Sequence, residues 1–357
     1  MVSRLRSSLL GLLAIIMLLS VTPARDSFGA EPEPEPETIR IGVLKFGTVN
    51  WELDVIQHHR LAEAEGIRLE IVELGSKPAT TVAFQAGDVD AIVSDWIWVS
   101  RQRHEGRDFS FVPYSTAVGA LVVPANSPIG GLNDLKDRRV GIAGGPLDKS
   151  WLLLRALAQQ RHAMDLNADA DEVFGAAPLL TKQIELGEID AVVNYWHYAA
   201  RLQAKGMTRL LGIHDVARSL GVDADVPMIG YVFREEWARD NDGVMQAFTR
   251  ASRKAKEILL TSDAEWDRLR PLMRVDDDAT AIALRDGYRD GIPKSWGEPE
   301  RAGASKIFAI LAEVGGEQLV GPGLVGLCDQ RLRGARGAGR GGRQRRSAGR
   351  SWIRPRL

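Results

Sequence analysis

The sequence predicts an α/β protein with two doubly wound lobes, each a mostly parallel sheet covered by helices. Two observations support this prediction. Strand-like and helix-like segments alternate from residue 38 onward, and such alternation is typical of parallel strands joined by helical crossovers. A long internal repeat then indicates that a second unit of the same kind follows the first.

The first unit is predicted from five segments in order. A strand at 39–44 is followed by a helix around 53–65 and a strand at 68–73. A helix around 80–85 then leads into a strand at 91–93.

The internal repeat has an offset of 100 residues without a gap. Residues 84–96 (FQAGDVDAIVSDW) match residues 184–196 (IELGEIDAVVNYW). This offset is far longer than the periods of solenoid proteins, so it indicates paired lobes. In each copy a glycine suits the end of a helix and an Asp-Ala pair enters a buried strand. We therefore interpret all four residues, Gly87, Asp90, Gly187 and Asp190, as structural.

Both ends of the chain differ from its body. Arg4 and Arg6 precede an uncharged apolar run at 9–21, which is the layout of a secretory signal peptide, predicted here as residues 1–30. An uncleaved anchor is the alternative, although the run is shorter than the roughly 20 residues that a spanning helix needs. An acidic, proline-rich linker is predicted at 31–37.

The last segment, residues 324–357, contains ten Arg and one Asp and has a net charge of +9. We predict that this Arg/Gly-rich tail is disordered, and we hypothesise that it is out-of-frame sequence from a GC-rich gene. The rest of the chain then carries a net charge of -10. An acidic body argues against nucleic acid as a partner.

Few catalytic or metal-binding motifs are available to the chain. The single cysteine, Cys328, excludes an internal disulfide and a cysteine-built metal site. The sequence contains no GxSxG, HExxH or CxxC motif, and the adjacent His58 and His59 point in different directions on a helix. We therefore predict no catalytic residue, no metal and no cofactor.

The predicted ligand site lies in the loops that follow the strands. In open parallel sheets, ligands bind beyond the carboxyl ends of the strands, next to helix N-termini. These loops contain a few polar groups among aromatic side chains, which is the usual composition of a small-molecule pocket. Packing of the Trp side chains into the cores is the alternative interpretation. The candidate ligand-binding residues are Thr48, Trp51, Ser76, Asp95, Trp96, Gly145, Lys149, Asn194, Tyr195 and Trp196.

Two carboxylates constrain the ligand. If Asp95 or Asp148 faces the cleft, the ligand should carry a cationic or donor group, because an unpaired buried carboxylate is costly. Gly144, Gly145 and Pro146 lack the spacing of a nucleotide-binding loop, so we interpret them as a tight turn whose N–H groups suit an anion.

The repeat motifs, together with segments 118–123 and 228–233, resemble the substrate-binding proteins of the nitrate, sulfonate, taurine and bicarbonate family of ABC importers. The resemblance covers residues 38–320 and implies a type II periplasmic-binding-protein fold with a hinge and a central cleft. Segments 119–124 and 225–230 are the crossovers that it implies.

The domain boundaries follow from the same resemblance. Lobe one is predicted to comprise residues 38–120 and 226–323, and lobe two residues 121–225. The chain would build most of lobe one, cross over to build lobe two, and return. Rotation about the hinge would then bury the ligand between the lobes.

The resemblance implies a periplasmic solute-binding component of an ABC importer that performs no chemistry on its ligand. We expect a monomer that captures a small polar organic solute, with anionic sulfonate-, nitrate- or taurine-like compounds as the leading candidates. Its other partners would be the permease and ATPase subunits, and it would meet the membrane only through the permease.

Two alternatives remain open. A periplasmic sensor would present the ligand to a partner other than a transporter, and neighbouring genes for a histidine kinase would favour it. A pyrimidine synthase of thiamine biosynthesis resembles these binding proteins and relies on His, Lys and a cysteine-rich motif. His197 and Lys149 could serve such an enzyme, but the body of the chain has no cysteine.

Overall fold

The computed structural model describes residues 36–322, which form two five-stranded sheets with helices packed against them. The predicted signal peptide, most of the predicted linker and the Arg/Gly-rich tail lie outside the described residues. In chain order the strands are β1 (Glu37–Leu44), β2 (Ile67–Leu74), β3 (Ala91–Asp95), β4 (Phe109–Ser115), β5 (Gly119–Val123), β6 (Arg139–Ala143), β7 (Asp171–Gly175), β8 (Ala191–Tyr195), β9 (Thr208–Gly212) and β10 (Ile229–Arg234).

Helices connect nearly all of these strands. In chain order they are α1 (Val49–His58), α2 (Lys77–Ala86), α3 (Trp96–His104), α4 (Lys149–His162), α5 (Leu166–Asp169), α6 (Ala177–Glu185), α7 (Trp196–Ala204), α8 (Ile213–Ser219), α9 (Glu235–Asp240), α10 (Asp242–Thr261), α11 (Asp263–Met273), α12 (Asp278–Asp290) and α13 (Glu298–Val320). None of these helices of the described chain is long and apolar enough to cross a bilayer.

The two sheets have the same topology. The strand order is β2-β1-β3-β10-β4 in the first sheet and β7-β6-β8-β5-β9 in the second. The strand in the fourth position runs antiparallel to both of its neighbours, and the other pairings are parallel. We call the first sheet with its helices the first lobe, and the second sheet with its helices the second lobe. The predicted α/β class with two mostly parallel lobes is confirmed.

The antiparallel strands are a consequence of how the chain crosses between lobes. After β4 the chain crosses at Thr116–Val118 and enters the second lobe directly as β5. Because β4 ends at the side of its sheet that faces the other lobe, β5 must run away from that side. The predicted crossover at 119–124 is therefore wrong: Gly119–Val123 is a strand inside the second sheet.

The return crossing lies before β10, so Ile229 and Gly230 of the predicted crossover at 225–230 are already in the first sheet. A third connection, between α12 and α13, was not anticipated from the sequence. It leads into α13, which packs against α4 of the second lobe and α3 of the first. The chain therefore links the two lobes at three places within residues 36–322.

The internal repeat corresponds to the central strands β3 and β8, and its aspartates have equivalent roles. Asp90 accepts a hydrogen bond from the backbone N–H of Arg40 at 2.8 Å, and Asp190 accepts one from the backbone N–H of Arg139 at 2.8 Å. In both lobes the aspartate's own N–H donates to the carbonyl of the same arginine. Gly87 ends α2 at φ +86°, where a side chain would be strained. The structural interpretation of these residues fits this geometry.

The contact between Asp90 and Arg40 yields a stability prediction. Asp90→Ala should lower the free energy of unfolding by about 1–3 kcal/mol, because it removes a charge-assisted hydrogen bond from the Arg40 N–H and the ion pair with the Arg40 side chain. Asp88→Ala changes an exposed side chain of the same turn and should cost less than about 0.5 kcal/mol. Urea unfolding of both variants tests this, and equal losses would contradict the proposed role.

Candidate functional site

The starts of six helices lie at the carboxyl ends of parallel strands, three in each lobe. In the first lobe, α1, α2 and α3 follow β1, β2 and β3; in the second lobe, α4, α6 and α7 follow β6, β7 and β8. Each helix start has backbone N–H groups without intrahelical partners and the positive end of the helix dipole. Side chains from these starts contact each other across the two lobes, and they define the cleft.

The strongest contact across the cleft is an ion pair shared by three side chains. Asp95, at the end of β3, accepts hydrogen bonds from Lys77 Nζ at 2.9 Å and from Lys149 Nζ at 3.1 Å. Lys77 belongs to the first lobe and Lys149 to the second. The other carboxylate oxygen of Asp95 accepts the N–H of Trp98 at 2.9 Å and so caps α3. One carboxylate therefore links two lobes and three helix starts.

The protonation state of Asp95 follows from its neighbours. The side chain is buried, with 8% of the residue exposed. Burial alone would raise the pKa of Asp95, but the ammonium groups of Lys149 and Lys77 hold it far below its ordinary value. Asp95 in turn raises the pKa of Lys77. Asp95 is therefore ionised at neutral pH, and the three side chains comprise two basic groups and one acidic group.

A second carboxylate and a phenol lie beside this cluster. Asp148 caps α4 by accepting the N–H groups of Ser150 at 2.9 Å and Trp151 at 3.1 Å. Burial raises the pKa of Asp148, although these two N–H groups oppose the change. A Cβ on Gly144 would lie 2.9 Å from an Asp148 oxygen and 3.1 Å from the Tyr195 hydroxyl. Glycine at this position therefore allows both groups to approach the turn.

The aromatic side of the cleft is also formed by both lobes. Trp51 of α1 meets Trp196 of α7 edge-on, with ring centroids 5.9 Å apart. Trp266 and Tyr288 of the first lobe complete the cluster around Trp51. Edge-to-face pairs of this kind add about 0.5–1.5 kcal/mol beyond the burial of their surface. The aromatic contact is thus a second link between the lobes.

Three buried polar atoms at these helix starts have no hydrogen-bond partner within the described chain. They are Asn50 Oδ1 in α1, Trp96 Nε1 in α3 and His197 Nδ1 in α7. Burial and the nearby Arg201 lower the pKa of His197 to about 3, so its imidazole is neutral. Unpaired buried polar atoms are uncommon and require an explanation. Asn50 Oδ1 and His197 Nδ1 are candidates for contacts with a bound polar molecule, whereas Trp96 packs in the hydrophobic core.

The structure brings together part of the predicted site. Asp95, Lys149 and Tyr195 lie in or beside the ionic cluster, and Trp51 contacts Trp196. Gly145 follows Gly144 in the same turn, and both have positive φ angles, of +83° and +95° respectively.

Other predicted residues have local structural roles. Thr48 precedes α1, and exposed Ser76 caps α2 by accepting the Ala79 N–H. Asn194 is fully hydrogen-bonded: its amide donates to the Ala177 carbonyl and Thr181, and its oxygen accepts the Tyr195 N–H.

Trp96 is only 3% exposed and packs in the hydrophobic core.

Sequence reasoning missed one residue of the ionic cluster, Lys77. It follows β2, at the start of α2, but was not selected. For Lys77 a signal was present, since a lysine in the first turn of a helix opposes the helix dipole and calls for a nearby acid. Lys149 at the start of α4 has the same unfavourable position. Two lysines in this unfavourable position point to a shared acidic partner, which is Asp95.

A cavity of about 580 Å³ lies elsewhere, at the segments that connect the lobes. Its lining includes Thr116 of the first crossing, Asp223 and Asp225 of the second, and Ile292 of the third. None of the ten predicted site residues lines it. Among the described residues no group of His, Cys, Asp and Glu is arranged to hold a metal ion.

The shared ion pair yields a prediction that a double-mutant cycle can test. Lys149→Met should lower the free energy of unfolding at neutral pH by about 1–3 kcal/mol, because buried Asp95 loses one of its two counter-charges. This cost should shrink in acid, where Asp95 of the variant takes up a proton while Asp95 of the parent, whose pKa is held far below its ordinary value by two ammonium groups, stays ionised.

The control is the same change in an Asp95→Asn background, where Lys149→Met should cost less than about 0.5 kcal/mol. Urea unfolding of the four proteins gives the coupling. An equal cost in both backgrounds would show that Asp95 and Lys149 do not interact.

Two α/β lobes that meet at the carboxyl ends of their strands, with charged and aromatic groups at the contact, define the class of two-lobed clamp folds. Within this class the chain belongs to the NMT1/THI5-like family, whose model matches residues 62–265, more than half of the chain. No curated protein sequence matches it.

Solved structures identify the fold more closely. The periplasmic aliphatic sulphonate binding protein SsuA of Escherichia coli superposes with a TM-score of 0.64 and 19% identity, covering 78% of this chain and 87% of that one. The alkanesulfonate-binding SsuA of Xanthomonas axonopodis pv. citri, bound to MOPS, gives a TM-score of 0.62 and 19% identity over 82% and 98% of the two chains. The predicted type II periplasmic-binding-protein fold is confirmed.

The same fold also carries an enzyme. The desulfurization enzyme DSZB superposes with a TM-score of 0.55 and 14% identity, covering 83% of this chain and 100% of that one. At such identities the comparisons establish the fold alone. The function has to be argued from the residues of the cleft.

Proposed function

We propose that this protein is the periplasmic solute-binding component of an ABC importer, and that it holds a small polar solute between its lobes without reacting with it. The ion pair that joins Lys149 of one lobe to Asp95 of the other carries this proposal. A charged contact between the lobes gives a ligand a direct means of favouring the closed arrangement.

The charges of the cleft support a ligand with an anionic group. Lys77 and Lys149 share one carboxylate, so the cluster retains a positive charge. The N-termini of α2 and α4 add positive potential at the same place. Asp148 and the Tyr195 hydroxyl nearby suit a ligand that also carries a donor or cationic group. Sulfonates, amino sulfonates and related small organic anions meet these requirements.

The cleft does not favour catalysis. His197, at the start of α7, is held neutral and its Nδ1 has no carboxylate partner within residues 36–322. The cysteine of the chain is Cys328, outside the described residues. A general base or nucleophile normally needs an adjacent partner that orients or activates it. The unpaired atoms at the helix starts fit ligand recognition better.

The partners and location follow from the proposed role. The basic and apolar N-terminal layout of the sequence suits export, and the periplasmic SsuA structures share the fold. A permease and an ATPase would then accept the loaded protein. We propose that the protein acts as a monomer with the ligand enclosed between its own two lobes.

Binding of the solute is the first expected outcome to measure. A thermal-shift screen should cover sulfonates, taurine, nitrate, bicarbonate, amino acids and pyrimidines. A ligand at about 100 times its dissociation constant should stabilise the protein by about 2.7 kcal/mol. We expect a saturable shift with an organic anion and recovery of the ligand unchanged. Turnover of the ligand, or saturable binding of neutral compounds alone, would contradict the proposal.

The role of the lysines can be isolated with a matched pair of variants. Lys77→Met should weaken anion binding about tenfold or more, since a lost charge-assisted contact costs over 1.4 kcal/mol. Lys149 remains to neutralise Asp95, so the fold should be retained. Lys182→Met, which changes an exposed lysine paired with Glu185, should leave affinity unchanged. Titration calorimetry measures both, and equal affinities would remove Lys77 from the site.

A further inference from the structure

A helix pair joins the two lobes beside the cleft. Helix α7 belongs to the second lobe, and α12 belongs to the helical part that follows β10 in the first lobe. The two helices pack against each other. We call this contact, formed by α7 and α12, the seam.

The seam depends on a glycine. A Cβ at Gly287 of α12 would lie 3.0 Å and 3.1 Å from two ring carbons of Trp196. These distances are shorter than ordinary van der Waals contacts, so the indole can rest on α12 only because residue 287 has no side chain. Glycine lowers the stability of a helix interior by about 1 kcal/mol relative to alanine. The close approach of Trp196 accounts for its presence there.

Beside the seam, a hydrogen bond joins α7 to the end of α11. The guanidinium of Arg201 in α7 donates to the carbonyl of Met273, at the end of α11, at 2.6 Å. Ala200 of α7 is buried in the core cluster of the first lobe although it belongs to the second. Three residues of α7, Trp196, Ala200 and Arg201, therefore contact the first lobe.

The surface that receives Trp196 is rigid. Tyr288 packs against Trp196 and donates its hydroxyl to Glu52 at 3.1 Å. Glu52 is fully buried, and it also accepts from Tyr231 at 2.9 Å. The ammonium of Lys256 neutralises this carboxylate. A buried network with all of these partners holds Tyr288 in one position.

We propose that the seam sets the equilibrium between open and closed lobes, and that Gly287 is a positioning residue that tunes ligand affinity without touching the ligand. The consequence for affinity rests on the proposed function. If only the closed arrangement binds tightly, the apparent dissociation constant is the intrinsic value divided by the closed fraction. A residue that closes the seam then raises affinity from outside the binding site.

The seam acts separately from the ionic cluster. Gly287 and Arg201 have no part in the ion pair of Lys77, Asp95 and Lys149, although Gly287 supports Trp196 on the aromatic side of the cleft. A change at the seam should therefore alter the population of closed molecules and leave the ionic cluster intact. The distance between the lobes reports this population directly.

The experiment measures that distance on the full chain without ligand. Spin labels are placed at Val82 of α2 and at Leu186 after α6, two exposed apolar positions in different lobes, with Cys328→Ser to prevent other labelling. Double electron–electron resonance then compares Gly287→Leu with Gly243→Leu. Gly243 lies in α10, where an added Cβ meets nothing within 4 Å.

Both substitutions improve helix propensity, but only Gly287→Leu should displace Trp196. We expect a longer and broader interlobe distance for Gly287→Leu and the parent distribution for Gly243→Leu. Arg201→Gln, a milder change at the other end of the seam, should shift the distribution in the same direction and remains informative if Gly287→Leu fails to fold. Parent-like distances in folded Gly287→Leu or Arg201→Gln would overturn the proposal.

Ligand affinity provides the second readout. With a ligand from the screen, Gly287→Leu should bind about tenfold or more weakly, as expected if the closed fraction falls by that factor. An unchanged affinity together with an opened distance would overturn the role of Gly287 in binding. If the parent protein binds no ligand, the proposed function fails, while the distance measurement still decides whether the seam holds the lobes together.

Discussion

The carboxylate of Asp95 is the group on which the cleft depends. Burying an ionised carboxylate costs several kcal/mol unless nearby charges and donors compensate for lost hydration. Lys77, Lys149 and the N–H of Trp98 provide that compensation. The lysines benefit as well, because each begins a helix whose dipole disfavours a cation at that end. Removing Asp95 would leave both lysines without this counter-charge, whereas removing one lysine leaves Asp95 paired with the other.

The topology explains why this cluster lies between the lobes. In both sheets the parallel strands end on the side that faces the other lobe, and helices begin there. Six helix starts therefore meet in one region without any residue having been placed there individually. The strands β5 and β10, which enter from that region, must run antiparallel to their neighbours. The same strand direction in both sheets therefore explains the position of the cleft and the antiparallel strands that follow the two crossings.

In our proposal, the ionic cluster that binds the ligand and the seam that sets lobe closure lie on different elements. The charged groups lie on loops that follow parallel strands, where local changes can alter specificity without disturbing either sheet. The seam is formed by two helices and by a rigid network around Glu52. Separation of the two would allow affinity to change through the closed population while the contacts to the solute stay the same. It also explains why the aromatic cluster extends beyond the cleft into the core of the first lobe.

The sequence by itself determined the alternation of strands and helices, the paired lobes and the loops that carry the candidate site, because these follow from local periodicity and an internal repeat. It also indicated Asp95 and Lys149. Only the tertiary structure showed that Asn194 satisfies its own amide internally and that Trp96 belongs to the core. It alone revealed that Gly287 makes room for an indole from the other lobe. Such contacts join residues far apart in the chain, and their partners are decided by packing that no local pattern encodes.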